Sequence, residues 1–111
     1  MRAIDEFDDE GNTPLYCAMR AADLAGVERL LAAGAAVDRA ERDLGETALF
    51  GAAVNGQLEI ARALLDAGAD AHKPRNDGVT PLAAAQRGNH ADIVALLAAR
   101  GGGAKCDQKF T

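Results

Sequence analysis

The chain has 111 residues, room for one domain, and its composition of 49% hydrophobic but only 4% aromatic residues calls for a core of Leu, Ile, Val and Ala. A formal net charge of −5 argues against duplex nucleic acid and against an anionic membrane surface, because both draw their affinity from Lys and Arg. No apolar run reaches the 18 residues of a membrane span, the acidic start lacks the apolar stretch of a signal peptide, and Cys17 and Cys106 lie near opposite ends. These features predict a cytoplasmic protein with two reduced thiols. The abundance of alanine points to a GC-rich bacterial genome.

Residues 1–7 form an acidic lead-in whose Ile4 and Phe7 are placed to cover the open face of the first helices. Gly11-Asn12-Thr13-Pro14-Leu15 then opens the first helix, predicted near 14–22. The Gly permits the positive φ of a tight turn. The Thr caps the helix through its hydroxyl, and Pro suits the first helical position, where a missing N–H costs nothing. Asp23 is the expected cap of a second helix near 24–33, and Gly34 suits its left-handed end. Leu15, Ala18, Val27, Leu30 and Leu31 are spaced to line one core.

The opening phrase returns as Gly45-Glu46-Thr47-Ala48-Leu49 and again as Gly78-Val79-Thr80-Pro81-Leu82. The second copy predicts helices near 48–55 and 58–67, with Gly56 left-handed between them and Gly68 closing the pair. The third predicts helices near 81–88 and 91–100, with Asn89 at the place of Gly56 and Gly101 at the end. Core positions are Leu49, Ala52, Leu58, Ile60, Leu64 and Leu65, then Leu82, Ala85, Ile93, Val94, Leu96 and Leu97. Residues 104–111 carry no helical period and read as a flexible tail.

Thr13, Thr47 and Thr80 stand 34 and 33 residues apart, and each precedes a Gly by 21. A fixed period of this length marks a stacked repeat protein. Thr80-Pro81-Leu82 with Ala85, Ile93, Val94, Leu96, Leu97 and Gly101 resembles an ankyrin repeat. Leu64-Leu65-Asp66-Ala67-Gly68-Ala69-Asp70 and Leu30-Leu31-Ala32-Ala33-Gly34-Ala35 resemble the end of that family's second helix and its loop. The resemblance implies an all-α solenoid of three stacked helix-turn-helix repeats, six helices with short turns, at about 8–41, 42–74 and 75–103 of a single domain, 1–103. It departs from the family in two places. The loop 35–44 is one residue longer than the usual period. The histidine of the family's TPLH phrase, which ties neighbouring turns together, is replaced by Tyr16, Phe50 and Ala83, and only Tyr16 has a hydroxyl to keep part of that network.

No catalytic set emerges. The chain has no Ser or Trp, its three capping threonines are already engaged, and His72 and His90 have no metal-ligand spacing. Paired acids such as Asp8 and Asp9 read as solvated turn charge, since tuned acids need a dry pocket. Cys17, one turn from Arg20, leaves a thiol-based redox sensor or enzyme as the alternative, and the alanine-rich last helix leaves a self-assembling structural unit. The function that the resemblance implies is non-catalytic protein–protein binding, as adaptor, scaffold or inhibitor, and no metal or cofactor is expected.

In the family, partners meet the turn tips and the exposed side of the first helices. Here the tips are Asp9, Glu10 and Asn12, then Asp43, Leu44 and Glu46, then Asn76, Asp77 and Val79. Positions four, seven and eight after each Thr share an outward stripe: Cys17, Arg20 and Ala21; Gly51, Val54 and Asn55; Ala84 and Arg87. Acids at every tip around a small apolar floor predict a partner protein with a basic surface around an apolar knob. The chain itself is expected to be a monomer or weakly self-associating.

Overall fold

The computed structural model describes residues 7–8 and 11–99. Among these the chain is all-α, with α1 (Pro14–Arg20), α2 (Leu24–Ala32), α3 (Ala48–Asn55), α4 (Leu58–Asp66), α5 (Pro81–Arg87) and α6 (Ala91–Leu97). The recurring threonines start the odd helices as their chemistry requires. Thr13, Thr47 and Thr80 are extended, and their hydroxyls accept from the backbone N–H of Tyr16, Phe50 and Ala83 at 3.1, 3.1 and 3.2 Å. Asp23 caps α2 through Gly26 N–H at 3.0 Å.

The pairs are closed by one backbone device used three times. The ninth residue after each Thr is left-handed: Ala22 at φ 57°, Gly56 at φ 73° and Asn89 at φ 61°. The second helices of the first two pairs end on Gly34 and Gly68, at φ 96° and 97°. There Ala35 N–H reaches Leu30 O and Ala69 N–H reaches Leu64 O, each at 3.0 Å, so the last carbonyls find donors. Gly101, expected in the same role, lies outside the described residues, as do Ile4, Cys106 and the tail. Helix α6 stops at Leu97, and a wider turn follows through Ala99.

The odd helices form one layer, α1 against α3 against α5, and the even helices form the other. Each pair closes on itself and on its neighbour, so the core is continuous through the stack. Leu15, Val27, Leu49, Ile60, Leu64, Leu65, Ala85, Ile93 and Leu97 are buried at its centre. The even helices bury one stripe, whereas the middle odd helix buries six residues in a row, Ala48 to Ala53, because it has a neighbour on each side. Its small side chains let those neighbours approach. Gly51, expected on the outward floor, is instead buried under Met19, whose Sδ and Cε atoms occupy the space a Cβ would take.

A second device joins the pairs. Gln57 donates from Nε2 to Met19 O at 3.0 Å, and His90 Nε2 lies 3.1 Å from Val54 O. Both stand ten residues after their Thr. Each therefore ties the start of an even helix to the end of the odd helix in the preceding pair.

Candidate functional site

Three loops lie side by side along one edge of the odd-helix layer. The first closes with Asp8 N–H on Asn12 O at 2.8 Å, the third with Arg75 N–H on Val79 O at 3.0 Å. The second closes between Glu41 N–H and Glu46 O at 2.9 Å, with one more residue enclosed. The extra residue of the longer period sits in this loop. The Glu41 carboxylate absorbs it by accepting from the N–H groups of Asp43, Leu44 and Glu46 at 2.7, 3.1 and 3.1 Å. Adjacent loops are joined by Arg42 N–H to Gly11 O at 2.9 Å and Asn76 N–H to Leu44 O at 2.8 Å. Phe7, expected over the open face of the first helices, lies under the guanidinium groups of Arg39 and Arg42, 4.4 and 4.9 Å from its ring centre.

Tyr16 does keep a tie between turns, and its partner is a carboxylate. Its hydroxyl donates to Glu46 Oε1 at 2.7 Å, and Glu46 Oε2 accepts from Arg75 Nη1 at 3.0 Å. Arg75 also donates from Nε to Asp77 at 2.9 Å, and its guanidinium lies 5.1 Å from the centre of the Phe50 ring. One chain of contacts thus spans all three repeats where the family uses histidine. Phe50, which has no polar group to offer, still takes part as the surface under Arg75. Burial, the Glu46 hydrogen bond and the negative charge of Glu46 and Glu41 push the Tyr16 phenol well above its ordinary range. The Arg75 hydrogen bond, seconded by Val79 N–H, holds the Asp77 carboxyl below its ordinary value.

This arrangement corrects part of the expected acidic edge. Glu46 is buried and engaged, so it is a structural acid rather than an exposed one. Asn12 is buried as well, its backbone held by Asp8. Asp9 and Glu10 lie outside the described residues. Asp43, Leu44, Asn76 and Asp77 do face solvent, as do Arg20, Asn55 and Arg87. Ala84 is nearly closed off, while Val54 is 44% exposed.

Four of the expected residues come together. Val54, Val79, Ala84 and Arg87, with Phe50, Arg75 and Gly88, line a cleft of about 300 Å³ between α3, α5 and the third loop. Phe50 and Arg75 were not expected in the site. Phe50 occupies the fourth position of the TPLH phrase, which suggested only a lost hydrogen bond. Arg75 had a signal in the sequence: it is basic where the corresponding loop closures carry Asp8 and Glu41. Cys17 is half-buried and its Sγ donates to Asp8 Oδ2 at 3.5 Å. A carboxylate neighbour is the opposite of the cationic setting that favours a reactive thiolate.

The repeat architecture has counterparts among known proteins. A family model for ankyrin repeats in three copies matches residues 19–110. The chain is 38% identical over 92 residues to potassium channel AKT1 of Oryza sativa subsp. indica, a match covering 81% of this chain and 10% of the channel. It is 34% identical over 99 residues to the ankyrin repeat and KH domain-containing protein mask-1 of Caenorhabditis elegans, covering 86% of this chain and 4% of that protein. It is 35% identical over 72 residues to the 2-5A-dependent ribonuclease of Mus musculus, covering 65% of this chain and 10% of the ribonuclease. The chain spans a tenth or less of the length of these relatives. All three are eukaryotic and lend no support to the bacterial source expected from composition. With three matched copies, two layers of helices and a threonine cap at the head of each pair, the chain belongs to the ankyrin-repeat family.

Proposed function

We propose that this chain is a non-catalytic binding module whose concave side, formed by α1, α3, α5 and the loop tips, receives a partner protein with a basic surface around an apolar knob. Ankyrin repeats generally mediate protein–protein interaction. The carrying observation is the cleft between α3 and α5, with exposed Val54 at its mouth and apolar Phe50, Val79 and Ala84 within. Apolar pockets that a partner's side chain fills and desolvates hold the anchors that dominate interface energy. The exposed acids Asp43 and Asp77 stand along the adjacent tips, where they speed the approach of a basic partner. The reading includes a single domain over 1–103 with a tail at 104–111, a cytoplasmic setting, and a role as adaptor, scaffold or inhibitor.

Recovery of partners from a host lysate with three forms of the chain as bait tests this reading. Val54→Arg places a charge at the mouth of the cleft and should abolish recovery of the partner that wild type retains. Reversing the exposed pair Glu59 and Arg62 on α4 should leave recovery intact. The opposite pattern would move the site to the even-helix layer.

A further inference from the structure

Two cations border the cleft, and only one of them is compensated. Arg75 is fully committed: Nη1 to Glu46 at 3.0 Å, Nε to Asp77 at 2.9 Å, and its face to the Phe50 ring. Arg87, in the last turn of α5, lines the same cleft, is exposed, and has no carboxylate partner among the described residues. At the loop end of the cleft Arg75 carries two carboxylates, Glu46 and Asp77, which leave that end net negative, whereas Arg87 at the helix end is an unbalanced cation. Its volume of about 300 Å³ stands at the lower limit of ligand pockets, roughly 300–1,000 Å³. That is room for one large side chain. We infer that the cleft takes a single aromatic or large aliphatic residue of the partner whose chain neighbour is acidic, the carboxylate meeting Arg87 while the partner's basic residues face the tips.

This deepens the concave-face reading and rests on it. The apolar walls supply affinity, and the two charged ends fix the direction in which the partner's segment lies. A segment with the reverse order would set its acid against Asp77 and its base against Arg87, and like charges so placed are rejected. The helix C-terminus of α5 already accounts for a cation at Arg87 on its own, as it does for Arg20 on α1. The experiment therefore has to separate a cation that serves its helix from one that reads a ligand.

Acetylated, amidated dipeptides Trp-Glu and Trp-Gln serve as probes, titrated into the full chain at millimolar concentration and followed by amide NMR. Both should shift the amides of Val54, Val79 and Ala84. Trp-Glu should bind about two- to fivefold more tightly at low salt, the scale of a solvent-exposed charge pair. Arg87→Gln should abolish the difference, so that the two probes bind that variant with equal affinity. Equal binding of the two probes to wild type, a preference that survives in Arg87→Gln, or shifts absent from the cleft would each overturn the inference. The lysate comparison with Val54→Arg does not depend on Arg87. A lost dipeptide preference beside a retained Val54 effect would therefore sink the directional inference alone.

Discussion

At the scale of single residues, Tyr16 and Ala22 show how local chemistry is spent on the stack. Tyr16 is the only tyrosine of the chain, and its hydroxyl is buried against Glu46. Tyr16→Phe should cost about 1 kcal/mol, the net worth of such a bond. Glu46→Ala should cost more, because it leaves the Tyr16 hydroxyl and Arg75 without their acceptor; chemical denaturation measures both. The phenol is held above its ordinary value near 10, so the folded state keeps the proton that the unfolded chain releases. Its contribution is complete below about pH 10 and is lost as pH rises toward the folded value. Stability of wild type should therefore fall above pH 10 more steeply than that of Tyr16→Phe, with the phenolate absorbance appearing as the chain unfolds. Ala22 carries the left-handed conformation that Gly56 and Asn89 carry in the other pairs. A Cβ at that φ is penalised by about 1–2 kcal/mol, partly offset by the lower entropy of unfolded alanine. Ala22→Gly should raise stability by about 0.5–1 kcal/mol, and an unchanged or lowered melting temperature would refute the strain at this position.

At the scale of elements, the even helices are located by bonds that reach back to the preceding pair. Gln57 fixes α4 to the end of α1, and His90 fixes α6 to the end of α3. Gly56 has no side chain, and that is what admits the His90 ring, whose Cε1 and Nδ1 lie 2.7 Å from where a Cβ would stand. His90→Ala should cost about 0.5–1 kcal/mol by removing this tie, since water reaches the exposed Val54 carbonyl in its place. Gln57→Ala should cost a similar amount, and the two losses should add, since they lie in different interfaces. Hydrogen exchange distinguishes them: His90→Ala should speed the α6 amides and leave α1 protected. Uniform acceleration along the chain would show instead that the pairs do not open separately.

For the molecule as a whole, stability is a sum of repeat and interface terms, and among the described residues no helix packs beyond α6. The outer face of α6 exposes Ala91, Ala95 and Ala99, and beside it Gln86, Asn89, His90 and Val94 line a hollow of about 370 Å³. Small exposed side chains cover a helix poorly, so this end should drive weak association at high concentration. Light scattering over a concentration series, for the full chain and for a form lacking 104–111, measures it. Stronger association of the shortened form is the expected result. Monomers of equal stability in both forms would show that this face needs no cover.

Most of the fold was legible in the sequence. Thr13, Thr47 and Thr80, the paired prolines and the glycines at fixed offsets are local signals, because a cap or a left-handed turn depends on residues within one helical turn. Helix starts were legible for that reason, and so were the left-handed sites at Gly56, Gly68 and Asn89. The site was legible only in part. Val54, Val79 and Arg87 follow from the outward stripe and the loop tips, and they do meet in one cleft. Burial of Glu46 and Asn12, the engagement of Arg75 and the floor made by Phe50 were decided by the tertiary structure. The Glu46 contacts depend on neighbours about one repeat away, 30 residues for Tyr16 and 29 for Arg75. A charge at a turn tip looks solvated until the adjacent loop is laid beside it. What turns an acid from a surface group into an internal one is then the donor that the next repeat brings within 3 Å of it.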